Sequence, residues 1–188
     1  MMSNDKRRNL EGMVFLVLFC LTIPAANWMI GHVGTVCGEH GVCLIPVAPG
    51  IMAPSGVVMI GLALVLRDLL QRRLGVEFGV AAIVVGAVIS AAIAPRSLVL
   101  ASAAAFLLSE LADFAVYTPL ARRRLVTAVV VSSMVGLVID SIVFLWLAFG
   151  SLDFLLGQIV GKTWMVLLSI PFVAYLRRRD RRLGLAPA

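Results

Sequence analysis

Glu110 and Asp113 stand one helical turn apart in SELADFAVY, which closes the apolar run RSLVLASAAAFLL. Asp140 sits in SSMVGLVIDSIVF and Lys162 in QIVGKTWMVLL, in equally apolar surroundings. Bare charge in hydrocarbon is costly, so such groups pair with one another, bind a proton or hold a polar ligand. Their neighbours recur at helical spacing. Glu110, Asp113 and Tyr117 fall at i, i+3 and i+7, Ser133, Gly136 and Asp140 share a second face, and Gln158 and Lys162 are i, i+4. Asn27 adds an amide just after Pro24, and Trp164 offers a ring that can stack on a planar ligand or face lipid. Coherent polar faces on several helices predict a shared central chamber. Its candidate lining is Glu110, Asp113, Asp140, Lys162, Gln158, Asn27 and Trp164.

The elements that must carry these residues are membrane helices. The 188 residues are 61% hydrophobic and 14% charged, and the mean hydropathy is +1.04. A soluble domain is nearer half apolar and a quarter charged. Six apolar runs are visible: Met13–Met29, Ile51–Leu66, Val76–Ala94, Ser97–Tyr117, Val126–Phe149 and Phe154–Leu176. They predict an all-α integral membrane protein, one six-helix domain over residues 1–188. The first run has no clear small-residue cleavage site after it and reads as a retained helix. Clusters at Lys6–Arg8, Arg67–Arg73, Arg122–Arg124 and Arg177–Arg182 hold 14 of the 16 Lys and Arg, and alternating spans put all four on one side. Positive loops stay in the cytoplasm, so both termini are expected inside, in a multi-pass protein of a bacterial inner membrane. Arg96 and Lys162 are the exceptions.

Depth follows from about 1.5 Å of rise per residue. Glu110 falls roughly 20 Å below the outer end of its span, while Asp140 and Lys162 reach similar levels in the outer half. Asp140 and Lys162 are therefore natural partners, and Asp113 comes within reach of Arg67. Glu110 is left without an evident cation, which points it toward a ligand or a proton. Three deep acids against one deep lysine favour a cationic ligand, a donor-rich neutral one or a bound proton. A carboxylate accepts two parallel N–H bonds well, and a guanine-like edge presents that fork.

Several classes are excluded or disfavoured. Net charge +6 serves topology and anionic lipid heads rather than nucleic acid. There is no P-loop, no nucleophile elbow, no HExxH and no paired-aspartate metal motif, so neither catalysis nor a cofactor is expected. The first outer loop holds His32, Cys37, His40 and Cys43. These are metal-ligand types at no recognisable zinc spacing, and a plain polar loop, with or without a Cys37–Cys43 disulfide, is the preferred reading. The Pro and Gly content from Pro46 to Gly56 predicts irregular backbone before the second span.

SELADFAVYTPL, SSMVGLVIDSIVFLWLAFG, QIVGKTWMVLLSIPFVAYL and LALVLRDLLQRRLG together resemble the vitamin uptake transporter (VUT) family, the group that includes queuosine precursor transporters. The resemblance covers Ile51–Leu176. It implies a six-helix carrier for 7-cyano-7-deazaguanine or its aminomethyl relative, with Asp113, Asp140 and Lys162 on its polar signatures and Glu110 where either an acid or an amide is found. Alternating access, with a proton as candidate coupling ion, is the first mechanism to consider. The other is a substrate-binding subunit of an ATPase-driven uptake complex. The partners expected are a small solute and the bilayer, with room for a homo-oligomer.

Overall fold

The structure, a computed structural model, describes residues 4–38, 42–94, 96 and 98–184. Glu39 and His40 lie outside the described residues, as does Ser97. Six helices are present among the described residues: α1 (Asn4–His32), α2 (Val57–Leu74), α3 (Val76–Ile93), α4 (Val99–Ala121), α5 (Leu125–Phe149) and α6 (Leu155–Leu183). Five of them, all but α2, are long and apolar enough to cross a membrane. α2 has 18 residues and carries Arg67, Asp68, Arg72 and Arg73, so it fails on composition.

The structure is not wholly helical. Between α1 and α2 lies an antiparallel three-stranded sheet in the order β1 (Val36–Cys37), β2 (Cys43–Ala48), β3 (Ile51–Pro54). This corrects two expectations. The second apolar run does not begin a helix at Ile51, because Ile51–Pro54 pairs with Leu44–Ala48. The Pro- and Gly-rich stretch is an ordered hairpin turning at Gly50, whose φ of +74° suits a residue without a Cβ. Cys37 and Cys43 are cross-strand partners joined by a disulfide, so neither is a metal ligand. His32 stacks on Trp28 and engages the Trp28 carbonyl through Nδ1.

Burial is inverted relative to a soluble bundle. Val14, Val17 and Leu21 of α1, Val84 and Val88 of α3, and Leu167 and Leu168 of α6 are exposed, whereas Arg67, Asp68, Asp113 and Lys162 are buried. That is the pattern of a solvent as apolar as the core. α2 is the axis of the bundle and packs against each of the other five helices. Its approach to α6 is close because glycines line the seam. A Cβ on Gly61 would stand 2.7 Å from the Lys162 carbonyl oxygen, and one on Gly161 2.7 Å from Val57 Cγ2. Gly75 alone separates α2 from α3, at φ +97°.

The ends of the bundle differ. The first turn of α1 and the last of α6 meet, with Asn4 Nδ2 donating to the Leu183 carbonyl at 3.3 Å. Gln71 near the end of α2 bonds Thr118 near the end of α4 at 3.0 Å. This is the arginine-rich end. The sheet packs on α1 and α6 at the other.

Candidate functional site

A cleft opens among the helix ends nearest the sheet. Its empty space is about 560 Å³, the open mouth included. Asn27, Ser90, Ser102, Asp140, Gln158 and Lys162 supply its polar lining, and Ile23, Ile60, Phe106 and Phe144 much of the rest. Lys162 organises one side. Its Nζ donates to Asp140 Oδ2 at 2.5 Å, Gln158 Oε1 at 2.6 Å and Ser141 Oγ at 2.8 Å. An ammonium has three protons and each has an acceptor here. The lysine is thus a clamp that holds a carboxylate from α5 and an amide from α6 in fixed relation. Among the described residues, Asp140 Oδ1 and Gln158 Nε2 have no further partner, which leaves an acceptor and a donor at the cleft wall. Asn27 donates through Nδ2 to the Ile23 carbonyl, within its own helix.

A second polar cluster lies deeper, on the arginine side. Arg67 is fully buried and reaches three acids. Nε donates to Glu110 Oε2 at 3.0 Å, Nη2 to Asp113 Oδ1, and Nη1 to Gln71 Oε1 at 3.0 Å. Asp68 Oδ1 lies 2.9 Å from Nη1 without an aligned hydrogen bond, while Ser132 donates to Asp68 Oδ2 at 2.9 Å. The rings of Phe114 and Tyr117 stand 5.8 and 5.7 Å from the guanidinium. α2, α4 and α5 are joined through this one side chain and its partners. α4 and α5 can approach because residue 136 is glycine. A Cβ there would be 3.1 Å from that of Asp113.

Residues 92–176 match the family described as putative vitamin uptake transporter. The matched segment runs from the end of α3 through α4 and α5 into α6, and so contains Glu110, Asp113, Asp140, Gln158 and Lys162. The match covers 85 of the 188 residues. No curated protein and no solved structure matches it. The five apolar helices are those of a multi-pass integral membrane protein, and the matched segment is similar to a putative vitamin uptake transporter.

Set against the sequence-based expectations, the polar residues divide. Asp140, Lys162, Gln158 and Asn27 do converge on one cleft. Asp113 pairs with Arg67. Glu110, expected to lack a cation, also pairs with Arg67, because α4 turns both acids of its i, i+3 pair toward α2. Neither acid lines the cleft, so the single shared chamber becomes two separate clusters. Trp164 does not line it either. It is half exposed, and its indole N–H is spent on the Val47 carbonyl at 3.0 Å, tying α6 to the hairpin.

Asp68, Gln71 and Ser141 were missed. Asp68 and Gln71 sit in LRDLLQRR, which reads as a cytoplasmic charge cluster, and Ser141 is hidden beside Asp140. The period was the available signal, since Arg67 and Gln71 are i, i+4 on a leucine-rich helix.

The arginine-rich end of the bundle is closed by ion pairs. Asp180 of α6 accepts from Arg73 at 2.8 and 2.9 Å and from Arg72 at 3.1 Å. Glu11 of α1 reaches Arg73 at 3.0 Å and Arg179 at 2.5 Å. Arg73 was expected as a loop charge but is 1% exposed, because acids from α1 and α6 cover it. Asp180 lies beyond the apolar part of α6. Burial pushes its carboxyl up, yet Arg73 and Arg72 outweigh that and hold it below the usual carboxylate range.

Proposed function

We propose that the chain imports a small, planar, nitrogen-rich solute by alternating access, as one six-helix unit in a bacterial inner membrane. The solute that fits best is a queuosine precursor, 7-cyano-7-deazaguanine or 7-aminomethyl-7-deazaguanine. The observation that carries this reading is the Lys162 clamp at the cleft wall. Asp140 Oδ1 is an acceptor for an N–H donor on a guanine-like edge, and Gln158 Nε2 is a donor for the adjacent carbonyl. Phe106 and Phe144 offer apolar faces on which a flat ring can rest. The recognition role first assigned to Glu110 thus moves to Asp140.

The two ends of the bundle support the mechanism. The cleft is open near the sheet, while Glu11, Arg72, Arg73, Arg179 and Asp180 hold α1, α2 and α6 together at the other end. Positive residues stay inside. The arrangement is then an outward-open carrier whose cytoplasmic end is latched.

The test is uptake of labelled deazaguanines, amines and vitamins by foreign host cells that carry only this chain. Accumulation of the deazaguanines alone is the expected result. Uptake of amines or vitamins instead replaces the substrate, and uptake that demands an added ATPase replaces the mechanism.

A further inference from the structure

The Arg67 cluster carries more negative charge than it can hold. Asp68, Glu110 and Asp113 face a single guanidinium, and all four side chains are within 2% of complete burial. With every carboxyl ionised, two negative charges would be left uncompensated in the interior of the bundle. Ser132 and Ser133 of α5 add no charge. Arg72 acts on Tyr117 from the inner side and Asp140 on Glu110 from the cleft side, but Asp140 is already spent on Lys162. Uncompensated buried charge costs several kcal/mol per ion, so the surplus favours protonation of at least one carboxyl.

Two independent details locate where. Asp68 Oδ1 and Asp113 Oδ2 are buried oxygens that receive no N–H or O–H hydrogen bond. The two carboxyl groups also share one guanidinium, Asp68 beside Nη1 and Asp113 beside Nη2. Two carboxylates cannot hydrogen-bond, since an ionised carboxylate only accepts. A carboxylic acid and a carboxylate can, and two carboxyls that share a site resist both ionising. A metal cation suits the site less well. The guanidinium occupies its centre, and no group of three acids converges as a metal cage among the described residues.

We propose that Asp68 and Asp113 form a proton-binding site, sharing one proton against Arg67, and that its release and rebinding accompany transport. The proton forms an O–H bond on one aspartate and is accepted by an oxygen of the other, and deprotonation returns it to water. In the present arrangement the pair is sealed from the cleft. Exchange therefore requires α4 to move against α2, which is also what switching the bundle between its two openings requires. The coupling rests on the transport reading, whereas the proton itself does not.

Infrared absorption of the full chain in phosphatidylcholine vesicles at neutral pH tests the site. A protonated-carboxyl carbonyl band that shifts in heavy water is expected. Labelling the aspartates with carbon-13 should move that band. Asp68→Asn and Asp113→Asn should each abolish it. Should those variants fail to fold, the isotope shift in the unmodified chain decides alone. No band, or an aspartate-insensitive one, overturns the site.

Coupling is read in the same vesicles. An inside-alkaline pH gradient should raise initial uptake of labelled 7-cyano-7-deazaguanine several-fold, and Asp68→Asn should lose that stimulation. Stimulation by a sodium gradient alone overturns the proton assignment. Vesicles that take up no deazaguanine under any gradient sink the substrate, while the infrared result still stands or falls by itself.

Discussion

The cleft cluster and the Arg67 cluster use the same materials to opposite ends. Around Lys162 there is one acid for one base, so the charges balance, and two polar atoms are left over at the cleft wall. Around Arg67 there are three acids for one base, no opening, and three helices tied through one side chain. A balanced cluster with spare hydrogen-bonding capacity is suited to receive a neutral polar solute. A sealed one with surplus negative charge is suited to hold a proton and to sense helix movement. Position along the axis separates the roles, with the first cluster near the sheet and the second behind it.

Removing each central cation separates the two regions further. Arg67→Ala should have the largest effect. It strands three buried carboxyls, and breaking a buried pair costs about 3–5 kcal/mol. The expected outcome is loss of the folded protein from the membrane, scored by fluorescence-detected size exclusion. A normal elution profile would mean that the carboxyls are already protonated without Arg67. Lys162→Ala comes next. The cleft can admit water to Asp140, so the protein should insert normally while uptake falls by about 100-fold, equivalent to about 2.7 kcal/mol. Unchanged uptake would reduce the clamp to a packing feature.

The smallest effect is expected at the latched end. Asp180 has a depressed carboxyl pKa in the folded protein. Its contribution to stability is therefore present above the unfolded carboxylate value, near 3.9, and is lost as pH falls through the folded value. Asp180→Asn should lower the melting temperature at neutral pH and approach the unmodified protein in acid. A deficit that does not change with pH would show that Asp180 acts through packing alone.

Much of the fold was legible because lipid leaves few solutions. Long apolar runs with arginines between them read directly as α1 and α3–α6, and the Asp140–Lys162 and Arg67–Asp113 pairs followed from depth. The hairpin at Cys43–Pro54 was not legible as strands, because CLIPVAPGIMAP is too short and proline-broken to show an alternating pattern. The partner of Glu110 was misjudged because one arginine had been counted for one acid. A guanidinium has five donors on a planar fork and can serve several acceptors at once.

Local chemistry along the chain was enough to determine the long apolar helices and several of the deep polar residues, because hydrocarbon penalises any exposed charge wherever it lies. Only the tertiary structure decided how those residues divide between an open cleft and a sealed cluster. That division depends on the rotation of α4 about its own axis and on which face of α2 it meets, and one turn of a helix carries too little information to specify either.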